Sequence, residues 1–202
     1  MELYHSKYFI WTGERSKIRG PIENFYRFLD DAYAQLSARF GINLDHKTPI
    51  AVKIANSDDC KGGIAGGSGP EGLGFCAGEW AENHWCYGLL AQELCNYFTG
   101  EGISGGWPQS WWANGRSPFP IMISVEIMKQ LAKEKLAIQR HCYFLTDPWY
   151  VRFHNLHHLH GFPLWHALFT TLRELKVDLS KIEEPAKTAL IMSIIAFMKA
   201  SE

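Results

Sequence analysis

Leu90-Ala91-Gln92-Glu93-Leu94-Cys95-Asn96-Tyr97-Phe98 belongs to a stretch, residues 84–98, that reads as a helix. Advancing 100° per residue from Gln92 puts Asn96 at about 40°, Thr99 at about −20° and Gly88 at about −40°. Tyr97, Leu90, Leu94, Tyr87 and Phe98 fall at roughly 140° to 240° on the same wheel. Gln92 and Asn96 therefore share a polar face with Glu93 at its edge, and the apolar residues form the opposite face. On this pattern alone the helix is an ordinary amphipathic one.

The elements around it define an α+β chain. Tyr8-Phe9-Ile10-Trp11-Thr12 is aromatic and β-branched and stops at Gly13, as a short strand does. After Pro21, apolar residues from Ile22 to Phe40 recur at helical spacing, and Gly41 stands in the position that closes a helix. Ile50, Val52 and Ile54 alternate in a second strand between Pro49 and Ala55. Residues 57–79 hold eight glycines, with room for one or two short strands near Leu73-Gly74-Phe75-Cys76. Beyond residue 98, helices are predicted over roughly 119–136, 148–160, 163–175 and 184–200. The expected fold is a small N-terminal sheet with one packed helix, followed by a mainly helical C-terminal lobe, in a single domain over residues 1–202. Residues 1–100 would form the sheet lobe with the 84–98 helix, and 101–202 the helical lobe.

Composition narrows the function. The 202 residues are 47% apolar and 20% charged with a formal net charge of −1, which gives no electrostatic footprint for nucleic acid or an anionic membrane. No apolar run reaches the roughly 18 residues that a membrane span needs, and Met1-Glu2-Leu3-Tyr4-His5 is not a secretion signal. Five cysteines, an odd number without a C-x-x-C pair, point to reduced thiols and a cytoplasmic protein.

The order helix, strand, Gly-rich segment, Q-E-L-C-N helix and then the Trp-rich turn Trp111-Trp112-Ala113-Asn114-Gly115 resembles the gluzincins. These are zinc peptidases whose HExxH helix is followed by a Glu ligand, often in a W-x-x-E-G context. The resemblance implies a zincin-like fold. It matches Gln92 and Asn96 to the two histidine ligands, Glu93 to the general base and Asn114 to the third ligand, so all three ligand positions depart from the family. Structural zinc sites are worth on the order of 10–16 kcal/mol with thiolate or imidazole ligands, whereas an amide offers only a neutral hard oxygen. Without the metal, Glu93 faces a water of pKa near 15.7 rather than about 7. The expectation is a metallopeptidase-like protein that is non-catalytic, needs no cofactor, and binds a peptide, protein or glycan ligand in the inherited cleft. Trp111 and Trp112 would wall that cleft and Arg116 would pair a carboxylate, although packing beneath the helices accounts for the tryptophans equally simply.

Two alternatives belong to other classes. The first is an active hydrolase using Glu93 with a hard ion, or zinc or another divalent metal on His154, His157 and His158. Those three fall at i, i+3 and i+4 opposite Trp149, Leu156 and Leu159, a placement that equally describes a solvated face. The second is a serine hydrolase in which Ser104, within Gly102-Ile103-Ser104-Gly105-Gly106, is served by Asp147 or Asp178 and a histidine. An elbow of that kind follows a strand, and here a helix precedes it. Gly67-Ser68-Gly69-Pro70-Glu71-Gly72 fits a dinucleotide fingerprint in spacing only. Cys95 reads as an inert buried thiol.

Overall fold

A computed structural model describes residues 1–40, 49–99, 108–111 and 117–200. Five strands, β1 (Glu2–His5), β2 (Phe9–Thr12), β3 (Ile50–Ile54), β4 (Ile64–Gly69) and β5 (Gly72–Ala77), form one mixed sheet in the order β1-β2-β3-β5-β4. β2, β3 and β5 run parallel, and the two edge strands β1 and β4 run antiparallel to their neighbours. A parallel pair needs a crossover, and α1 (Glu23–Phe40) supplies it between β2 and β3. The short strand β1 was not evident in the sequence.

Alternation puts one face of the sheet inside. Phe9, Trp11, Ile50, Val52, Ile54, Leu73, Phe75 and Ala77 are buried, while Lys53 between them is exposed. α1 lies on the inner face, with Tyr26 against Trp11 and Tyr33 against Phe9. Phe25 and Phe28 of α1 then meet Tyr87 of α2 (His84–Thr99). Each large side chain buried this way contributes about 1.5–3 kcal/mol.

The second half of the chain closes around α2. α3 (Pro118–Gln130), α4 (Glu134–Phe144), α5 (Pro148–Glu174) and α6 (Glu184–Ala200) complete six helices among the described residues. The helix expected over 119–136 is in fact two. Ala132 adopts φ 55°, and the N–H groups of Ala132 and Lys133 reach back to the carbonyls of Lys129 and Met128, a Schellman stop without the usual glycine. α5 is broken at Gly161, whose φ 64° and ψ −159° are not helical, just before Pro163, in line with the separate helices 148–160 and 163–175.

Two expectations are corrected here. Cys60 and Cys76 form a disulfide that ties the turn after β3 to β5, leaving Cys86, Cys95 and Cys142 as free thiols; the five thiols are not all reduced. The Gly67–Gly72 segment is the tip of the β4–β5 hairpin, with Gly69 paired to Gly72 around Pro70-Glu71. It opens no helix, so it lacks the helix N-terminus on which that fingerprint relies. No helix among the described residues is long and apolar enough to cross a membrane.

Candidate functional site

The helix with the Q-E-L-C-N stretch is largely buried, and a narrow stripe through Trp85, Leu89 and Asn96 is partly exposed. Along α2, Gln92 is 8% exposed and Glu93 6%, and Leu90, Ala91, Leu94, Cys95 and Phe98 are buried too. The wheel separates polar from apolar residues, but Gln92 and Glu93 of the polar stripe face protein rather than water: β4 covers one part of it, and α3 and α4 cover another.

Buried polar groups must find partners, and here they find one another. Gln92 Nε2 donates to Glu93 Oε1 at 3.3 Å, and Asn96 Nδ2 donates to Glu93 Oε2 at 3.1 Å. Ser68 on β4 is a third hydrogen-bonding neighbour of the carboxylate. On the far side of Gln92, Arg140 Nη2 donates to Gln92 Oε1 at 2.8 Å. A guanidinium has only donors, so the Gln92 oxygen must face Arg140 and its NH2 must face Glu93. The amide orientation is thereby set, and the donors converge on the Glu93 carboxylate, Arg140 through Gln92 from one side and Asn96 from the other.

Arg140 is the residue that the sequence reading missed. It is 1% exposed, and besides Gln92 it donates from Nε to Ser124 Oγ (2.7 Å) and from Nη1 to the His84 carbonyl (3.4 Å). Its plane also lies over the Phe144 ring. Gly88 makes room for it: a Cβ there would run into the guanidinium carbon and Nη1. A lone glycine in the middle of a helix was the available signal, since such a residue has a packing reason as a rule. Gly66 plays the same part on β4, where a Cβ would approach Glu93 Cγ to 2.8 Å.

Burial pushes the Glu93 carboxyl above the usual range, against the opposing hydrogen bonds from Asn96, Gln92 and Ser68 and the charge of Arg140. A raised carboxyl of this kind suits a general base. Burial likewise raises the Cys95 thiol well up, and Cys95 is 0% exposed, so it is not a nucleophile.

The remaining candidates fall elsewhere. Trp111 is 1% exposed and stacks on Trp149 at 4.3 Å, so it packs in the core instead of walling a cleft. Asn114, Arg116, Trp112 and Ser104 lie outside the described residues. Asp147 caps α5, accepting from the N–H groups of Trp149 and Tyr150, and Asp178 pairs with Lys181.

His154, His157 and His158 of α5 do not share one exposed face. His158 is exposed and His154 half-buried, but His157 is 9% exposed. Leu159, placed on the apolar side from sequence, is 70% exposed. His157 Nδ1 accepts from Trp165 Nε1 at 3.0 Å, and its Nε2 lies 3.8 Å from Glu126 Oε2. An indole is a donor only, so neutral His157 carries its proton on Nε2 and has no lone pair free for a metal. Among the described residues no three His, Cys, Asp or Glu side chains converge as a metal site.

Comparison with known proteins finds no family model, no curated protein and no solved structure that matches this chain.

Proposed function

We propose that this is a metallopeptidase-like protein whose zinc-ligand positions have been replaced, and that it binds an extended peptide along the free edge of β4 without cleaving it. The observation that carries this reading is the Gln92 amide. Where a peptidase would aim an imidazole at zinc, Gln92 holds Arg140 with its oxygen and Glu93 with its nitrogen. The order of elements behind the gluzincin likeness also supports it: α1, β3, the Gly-rich hairpin β4–β5 and then α2. β4 is an edge strand, and such a strand presents a row of backbone donors and acceptors to an added strand. Glu93 lies directly under Gly66 and closes the space between β4 and α2, so an added strand would pair with the outer edge of β4. A protein segment or a glycan is the other occupant this cleft would take.

The expected cytoplasmic residence has one observation against it, since a disulfide such as Cys60–Cys76 belongs to oxidising surroundings.

The test is incubation of the purified protein with unstructured peptides, with and without chelator, alongside NMR mapping of the bound peptide. The expected result is no metal-dependent cleavage, with shifts concentrated on β4. Chelator-sensitive proteolysis that vanishes in Glu93→Gln would overturn the reading. Zinc binding should return in the combined variant Gln92→His, Asn96→His, Asn114→Glu before any activity does.

A further inference from the structure

A second polar site lies away from Glu93, where α3, α4 and α5 meet. Glu126, Lys129, His154, His157 and His158 line a cavity of about 260 Å³, and the His141 ring lies tilted against His154 with centroids 4.4 Å apart. The four imidazoles are not equivalent. His141 Nδ1 is engaged by the Tyr150 hydroxyl at 2.7 Å, and His157 Nδ1 by Trp165. His154 and His158 make no hydrogen bond or ion pair with any described residue. They sit four residues apart on α5, one helical turn, which puts both rings over one patch of surface.

We propose that His154 and His158 form a two-imidazole site for a divalent late first-row transition ion. Imidazole suits such ions, and an i, i+4 pair on a helix brings two ring nitrogens to one metal. The remaining coordination positions are filled by water. Glu126, across the cavity, supplies negative charge opposite the cation; one of its oxygens is held by Lys129 at 2.7 Å, and the other faces His157. His157 is not a ligand, because its free nitrogen carries the proton that Trp165 obliges it to keep.

Nickel chloride titrated into the full chain by calorimetry, with Cu²⁺ electron paramagnetic resonance, tests this assignment. One site with two equatorial imidazole nitrogens is expected. His158→Ala, an exposed change that leaves the fold intact by circular dichroism, should weaken Ni²⁺ binding by at least about ten-fold, since losing even an outer partner of a metal site costs that much. His154→Ala should do the same. His157→Gln keeps an acceptor for Trp165 and should leave affinity and spectrum unchanged. Equal binding by wild type, His154→Ala and His158→Ala would overturn the site, as would loss of binding in a folded His157→Gln protein.

Discussion

At the scale of single residues, the buried row on α2 is governed by which group donates to which. Glu93 is an acid whose folded-state pKa is raised by burial. A raised group contributes stability that is full below its unfolded value, about 4.3 for glutamate, and that is lost as pH rises through the folded value. Glu93→Gln removes this titration. The stability of wild type relative to Glu93→Gln is therefore expected to be highest near pH 4 and to fall toward neutral pH, as followed by urea unfolding at several pH values. A difference that stays flat or climbs with pH would mean that the carboxylate is not desolvated. Arg140 is the other decisive residue. Arg140→Ala would strand Gln92 Oε1, take one of two partners from Ser124 Oγ, which still donates to the Ile121 carbonyl, and leave a large void, a combination that costs about 3–5 kcal/mol. Equilibrium unfolding of that variant should show the loss, and a cost below about 1 kcal/mol would contradict the packing described.

At the scale of elements, the seam between α2 and α4 depends on the absence of a side chain. Gly88 lets the guanidinium of Arg140 lie against the helix backbone. Gly88→Ala improves helix propensity by up to about 1 kcal/mol, but it overpacks a fully buried site, which costs roughly 1–3 kcal/mol. Net destabilisation is expected in thermal unfolding, and it should shrink in the Arg140→Ala background, where the clash is gone. Additive effects of the two changes would show that they do not touch. The helix stops teach a related point. Gly161 before Pro163 marks a break that is readable in sequence, whereas Ala132 and Lys176 take left-handed φ of 55° and 53° with no glycine to announce it.

At the scale of the whole molecule, a contiguous hydrophobic core joins the sheet to the helices of the second half, and one covalent tie adds to it. The Cys60–Cys76 bond spans a separation of 16 residues, for which restriction of the unfolded chain is worth about 3 kcal/mol. Reduction should lower the unfolding free energy by about 2–4 kcal/mol, measured by denaturant titration with and without reductant. Thiol counting on the denatured, unreduced protein should find three of the five cysteines reactive, matching Cys86, Cys95 and Cys142; five reactive thiols would rule the bond out.

The sequence by itself determined the element types and much of their order. Phe9 with Trp11, and Ile50 with Val52 and Ile54, alternate as only half-buried strands do, and the apolar spacing from Ile22 to Leu36 repeats as only a helix does. It also grouped Gln92, Glu93 and Asn96, because residues one turn apart on a helix must be neighbours. What covers that group was decided by the tertiary structure. Arg140 stands 48 residues from Gln92 and Trp165 eight from His157, and no local pattern says that a guanidinium or an indole will meet them. A helical wheel separates polar from apolar faces but carries no information on whether the polar face meets water or another buried polar side chain. The disulfide follows the same logic: Cys60 and Cys76 become partners only because the β4–β5 hairpin returns the chain beside the turn after β3.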